Sequence, residues 1–426
     1  MGAGEYRPGL VGRISAGRVN QGDQITPPPP LRVGLLTGGE DRSYAIGLTS
    51  ALVARGVQVD FVGSDKTDGP ELHGVDGIDF LNLRGDQREN VHLLQKADRL
   101  LTYYVRLAKY AVVARPRIFH VLWNNKFELF DRTLLMLYYR LVGRTVVLTA
   151  HNVNAAKRDS RDGAMNRWSL RTQYRLARHI FVHTELMREE LKSDFAIPEA
   201  KISVIPFGIN NTSPVTPLTA DEAKQRLGLK AATKTMLFFG QIAPYKGLEY
   251  LVAALAELTH AQKDLRLIIA GKVKKGSEAY WRDIEHQLDS QSIGDYVIRR
   301  ITHIPDAEVE LLFKAADVLV VPYTRIFQSG VPFLAYSFGL PVIATDVGSL
   351  RYDVVEDRTG LLCKPRDPAD LARSIRKYFS SELFQNLANT RSEVRGFANE
   401  RHSWAKVAEI TEDIYRRLLV GNQAMS

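Results

Sequence analysis

The chain has 426 residues, 45% of them hydrophobic and 25% charged, with a net charge of +9. That is a soluble globular composition, too long for one core and suited to two domains. A single cysteine, Cys363, excludes an internal disulfide and fits a reducing compartment, and we find neither a basic leader with an apolar h-region nor an apolar run long enough to span a bilayer. Residues 1–30, Gly-rich and Arg-bearing and ending in Pro27 to Pro30, read as a disordered tail.

The first strand is expected at 31–36, running into Thr37-Gly38-Gly39, with a helix-compatible segment to about Arg55 and an alternating strand at 57–62. This opening resembles that of dinucleotide-binding folds without the GxGxxG spacing, and Gly38 and Gly39 suggest close approach of a ligand to backbone. From Val91 to Val113 the pattern is helical. Leu94, Ala97, Leu101, Tyr104, Leu107, Ala108 and Ala111 share one side, and Lys96, Arg99, Tyr103, Arg106 and Tyr110 share the other. A basic stripe with tyrosines beside it can lie against anionic headgroups, so these five are the candidate membrane-facing residues, the alternative being an ordinary surface helix. Between Leu94 and Arg178 there are 17 Lys or Arg against 5 Asp or Glu, more than the surplus of the whole chain. So local a basic field points to an anionic partner: phosphate groups, membrane lipid or nucleic acid.

Strands at 118–123 and 145–149 follow, with a helix at 133–142 between them, and the second strand runs out into Ala150-His151-Asn152. Ligands collect beyond the carboxyl ends of strands in open α/β sheets, which puts His151 where chemistry is done and Asn152 beside it. After an Arg-rich helix, a strand at 179–183 and a strand at 202–205, residues 211–221 form a linker rich in Asn, Thr, Ser and Pro. Strand and helix then alternate again, through strands at 235–239, 265–270, 297–301, 318–321 and 342–345. Two successive alternations imply an α/β protein with two parallel sheets, one in 31–210 and one in 222–402, and a last helix over 403–426 that crosses back. The stretch Gln328 to Leu350 organises the second domain: Ser329 can cap a helix whose first turn, Gly330 and Val331, offers backbone N–H groups to a phosphate.

Two stretches carry a family likeness. FFGQIAPYKGLEYLVAAL resembles the phosphate loop of retaining glycosyltransferases of family four, and PYTRIFQSGVPFLAYSFGLPVIATDVGSLRYDVVEDRTGLLCKP resembles their donor-sugar motif. The likeness implies the GT-B fold, two Rossmann-like domains with parallel sheets facing across a cleft. It further implies a hexosyl transfer from a UDP- or GDP-sugar with retention, with no metal or other cofactor required. Carried over by residue, Lys246 binds the donor diphosphate with Gly330 and Val331, Ile301 to Ile304 with His303 among them border the base, and His151 contacts the donor sugar. Three positions depart from the pattern. Gln241 stands where an arginine is usual, and Ile326 and Leu334 stand where two glutamates are usual. Lys272 and Arg325 are candidates to restore the missing charge, and Gln328 and Ser329 to replace the ribose contact. The acceptor expected along the basic first domain is a saccharide, lipid-linked through a polyprenyl chain or close to the membrane, handled by a cytoplasmic protein peripheral at the inner face. A fold-retaining binding or scaffold protein without catalysis and a sugar-nucleotide epimerase are the alternatives. No zinc spacing, RNP motif or helix-turn-helix supports a nucleic-acid partner.

Overall fold

The computed structural model describes residues 31–38, 42–88, 92–158, 162–209, 216–326 and 328–423. The expected tail at 1–30, Gly39, and residues 211–215 of the expected linker lie outside them. The chain builds two wholly parallel sheets. The first joins β1 (Arg32–Leu36), β2 (Gln58–Gly63), β3 (Ile78–Asn82), β4 (Ile118–Val121), β5 (Thr145–Thr149), β6 (His179–Val182) and β7 (Ile202–Val204) in the order β3-β2-β1-β4-β5-β6-β7. The second joins β8 (Lys234–Phe239), β9 (Leu265–Ala270), β10 (Val297–Arg300), β11 (Val318–Val321), β12 (Val342–Thr345) and β13 (Gly360–Cys363) in the order β10-β9-β8-β11-β12-β13. Central strands such as β11, Val-Leu-Val-Val, are buried at every position, because helices cover both faces and leave no side for a polar residue. Strand order reverses beside β1 in one sheet and beside β8 in the other, which opens a crevice beyond the carboxyl ends of each.

Two strands escape the sequence reading. β3 is half-buried at an edge and carries Asp79 and Asn82, and β13 lies within the Thr-Gly-Leu-Leu segment; neither is a clear apolar run.

The helix Leu93–Val113 is turned from the expected orientation, so that only part of each expected face holds. Tyr103, Leu107, Tyr110 and Ala111 are buried against the sheet, whereas Leu94, Leu101, Val105 and Val112 are exposed. Tyr103 and Tyr110 are therefore not membrane-facing. A tyrosine ring buries a large area and can turn inward when its hydroxyl finds a partner. Tyr110 donates to Asp60 Oδ2 at 3.0 Å and stacks on Phe119 at 5.4 Å, and Tyr103 donates to Asn125. Arg106 stays exposed; Lys96 and Arg99 are half-buried, and Arg99 pairs with Asp86 at 3.2 Å.

The last helix, Trp404–Gln423, packs on Arg42–Ala54 of the first half. Trp404 sets how closely they meet, since a β-carbon at Gly47 or Gly208 would lie 2.2 or 2.5 Å from its indole. Polar contacts fix the register: Arg55 pairs with Glu412 at 2.5 Å, and the Tyr415 hydroxyl lies 2.5 Å from His120 Nδ1, whose other nitrogen is 2.7 Å from Thr149 Oγ1.

Candidate active site

The loop after β8 begins at Gly240 and ends in the turn Pro244–Lys246 and Gly247. Gly247 has φ +65°, and a β-carbon there would sit 2.1 Å from the Pro322 carbonyl oxygen, so only glycine lets this turn close on the loop after β11. The closure buries Lys246 to 6% exposure and puts its Nζ 2.6 Å from the Tyr323 hydroxyl and 3.9 Å from the centre of that ring. The Tyr323 hydroxyl is 3.5 Å from Ser329 Oγ, which accepts in turn from the Val331 N–H at 3.4 Å. Burial holds the Tyr323 phenol well above its ordinary value, so it stays a neutral hydroxyl that can accept from the ammonium. An ammonium, two hydroxyls and the first turn of the helix Gly330–Ser337 thus stand in one row. A β-carbon on Gly240 would be 3.6 Å from the Val331 side chain, so both loops converge here.

The other donor-side residues take separate places. Gln241, Lys272 and His303 are exposed, and the Lys272 carbonyl accepts from Ile242 N–H at 2.9 Å. Arg325, also exposed, reaches over to the first half and donates to the Lys157 carbonyl at 3.4 Å. Gln328 Nε2 donates to Asp353 Oδ2 at 3.4 Å, and its Oε1 is buried with no partner among the described residues. Burial pushes the Asp353 carboxyl up to about 7, against the Ser349 hydroxyl that donates to it at 2.7 Å. Ile326 and Leu334 pack in the apolar core of this half, so apolar residues suit both places.

In the first half, His151 follows β5 and stacks on Trp123 with centroids 4.3 Å apart and planes 4° apart. Thr149 and Phe181 are register partners in β5 and β6, which brings His151 level with His183 two residues beyond. His183 Nε2 and His151 Nδ1 are 3.0 Å apart, and His183 Nδ1 faces the Ile205 carbonyl at 3.4 Å. A carbonyl only accepts, so His183 carries its proton on Nδ1 and accepts from His151 Nδ1–H. The His151 Nε2 lone pair is then left over, and that buried atom has no partner among the described residues. Burial keeps both rings neutral: it pushes His183 down to about 4 and His151 well below the usual histidine value.

Phe207 links this site to the other loop. Its ring contacts His183 at 5.0 Å, stacks on Phe333 at 5.2 Å and 15°, and lies 3.5 Å from where a β-carbon on Gly330 would stand. Gly38, with φ +61°, presses the turn after β1 against the backbone of Trp123 and Asn124, where a β-carbon would come within 2.8 Å. Asn152 is half-buried, with its Oδ1 unpartnered among the described residues.

Two family models match most of the chain: "Glycosyltransferase Family 4" over residues 42–212 and "Glycosyl transferases group 1" over residues 233–381. The chain belongs to the family-four-like glycosyltransferases of GT-B fold. Among its relatives, a D-inositol 3-phosphate glycosyltransferase of Corynebacterium diphtheriae is 25% identical over 87% of this chain and 88% of its own. One of the same name from Kineococcus radiotolerans is 28% identical, but the match spans only 57% of either chain. Of solved structures, HepE from Anabaena in complex with UDP and glucose superposes with a TM-score of 0.70 at 16% identity, over 91% of this chain and all of that one (100%).

This glycosyltransferase has site residues that the linear pattern does not announce. Tyr323 reads as one more apolar residue after β11, His183 as the end of a strand, and Phe207 as part of a connection. For His183 a signal exists: it stands two residues past its strand's register partner of Thr149, as His151 stands two past Thr149 itself. That correspondence is visible only once β5 and β6 are known to pair.

Proposed function

We propose that the protein moves a hexosyl group from a UDP- or GDP-sugar to a lipid-linked or membrane-proximal saccharide, with retention at the anomeric carbon. The observation that carries this is the row from the Lys246 ammonium through Tyr323 and Ser329 to the first turn of Gly330–Ser337. In the transfer, the bond from the anomeric carbon to the β-phosphate oxygen breaks and its electron pair stays on the phosphate. The acceptor hydroxyl bonds to that carbon, and its proton passes to the leaving phosphate. A fixed cation and oriented N–H dipoles favour the charge that gathers on the leaving group, and the reading calls for no metal. His151 Nε2 accepts a hydrogen bond from a hydroxyl of the donor sugar. The UDP and glucose bound to HepE agree with a nucleotide-sugar donor.

Among the described residues no helix is long and apolar enough to cross a membrane. Contact with the inner face of a membrane is supported by the exposed Leu94, Leu101, Val105 and Val112 beside the exposed Arg106, and by Leu134, Leu137 and Leu141 on the neighbouring helical segment. A thermal-shift series with UDP, GDP and their sugars tests the donor. One nucleotide should raise the melting temperature of the native protein and do so less in Lys246→Ala. No rise with any of them would overturn the reading.

A further inference from the structure

A second concavity, of about 330 Å³, lies on the acceptor side, lined by Arg84, Arg88, Lys96, Arg99, Lys126 and Lys275. Among the described residues Asp86 is the one acidic residue in its wall, and Arg88 and Arg99 already hold it at 2.7 and 3.2 Å. Arg84, Lys96, Lys126 and Lys275 pair with no carboxylate among the described residues; Arg84 instead lies over the Tyr103 ring at 5.7 Å. Four cations without an ion-pair partner among the described residues stand around one hollow, and an anion that enters is met by charge-assisted hydrogen bonds from several sides.

The location says which molecule brings the anion. Arg84 and Arg88 follow β3, and Lys126 follows β4, on the edge of the first sheet where His151 follows β5. Lys275 follows β9 of the other sheet, so both halves contribute to the wall. Tyr103, also in the wall, bonds Asn125, two residues along from the Trp123 that stacks on His151. The donor diphosphate has its own receptor in the row at Lys246. We propose that this pocket binds a phosphate or diphosphate group of the acceptor and so holds the attacking hydroxyl toward His151. The proposal rests on the glycosyl-transfer reading for the word acceptor, and on the pocket alone for the phosphate. It also gives Lys96 and Arg99 a role as pocket walls in place of membrane contact.

The test is calorimetric titration of inorganic pyrophosphate into the full chain already saturated with whichever of UDP and GDP raises its melting temperature, so that the Lys246 site is filled. Saturable binding is expected, weakened at least tenfold in Arg84→Gln/Lys126→Gln and less in Lys275→Gln, with the melting-temperature rise on that nucleotide unchanged in both. Absence of saturable binding, or binding that the double variant does not weaken, overturns the proposal. A shift that is missing with UDP and GDP alike while pyrophosphate still binds would instead sink the donor assignment and leave the pocket standing. Two arms separate the sources of the phosphate. Recruitment to phosphatidylcholine vesicles carrying geranylgeranyl diphosphate, lost in the double variant, assigns it to a lipid headgroup. Displacement of pyrophosphate by D-inositol 3-phosphate without vesicle recruitment assigns it to a soluble sugar phosphate.

Discussion

The two halves of this enzyme keep their cations in opposite ways. In the second half Lys246 is 6% exposed and locked on Tyr323 at 2.6 Å, whereas the lysines and arginines that the first half brings to the basic pocket are half-buried or exposed, three of them with no carboxylate partner among the described residues. A buried cation already oriented is suited to charge that appears only while a bond breaks, since nothing must reorganise at that moment. An open cluster is suited to capture, since long-range attraction works before contact.

The sharpest way to break that contrast is Lys246→Ala. If the locked lysine serves the transition state, kcat should fall about 100- to 1,000-fold with the fold intact, as for loss of one preorganised donor. Steady-state kinetics beside a melting curve read both, and a variant altered only in KM would make Lys246 a capture residue like those of the other half.

Acid should also separate the halves. His120, His179 and His183 of the first half are pushed by burial to about 3, 4 and 4, below the ordinary 6.5. Below pH 6.5 the unfolded chain therefore binds more protons, and stability falls as pH drops, with a slope of up to about 1.4 kcal/mol per unit for each such ring. Asp353 in the second half has the opposite sign: raised from 3.8 to about 7, it is better accommodated in the fold as pH falls from 7 toward 4. Hydrogen exchange at pH 7.5 and 5.5 should show β4 and β6 losing protection while β12 keeps it; equal loss in both would remove the distinction.

A smaller effect is expected from His183→Ala. It leaves the His151 Nδ1–H buried without its acceptor, at a cost of about 1–3 kcal/mol, and frees the ring to change tautomer. Turnover should drop about tenfold with UDP affinity unchanged, and His183→Asn, whose side-chain oxygen can still accept, should recover part of it. Smallest is Tyr323→Phe, which removes one hydroxyl from the row at a cost of about 1 kcal/mol. It should slow turnover roughly fivefold without loosening the Lys246 turn that Gly247 sets.

Much of this was legible in the sequence, and the reasons differ by residue. The central strands could be read because burial on both faces demands unbroken β-branched runs such as Val342-Ile343-Ala344-Thr345. Ser329 could be read as a cap because an orphan helix N–H needs an oxygen there, and it accepts from Val331. The two faces of Leu93–Val113 could not. Periodicity states which residues share a face but not which face meets the sheet, and Asp60 and Asn125, which draw Tyr110 and Tyr103 inward, lie far away in the chain.

By itself the sequence determined two parallel α/β sheets, the loops that carry Lys246 and His151, and a basic surplus in the first half, because each depends on neighbours along the chain or on simple counts. Only the tertiary structure decided that Lys246 meets Tyr323, that His183 sets the proton of His151, and that Lys275 comes to stand with Arg84 and Lys126 around one hollow. Those are contacts between residues 32 to 191 positions apart, and what brings them together is the closing of strands on one another and of one half on the other.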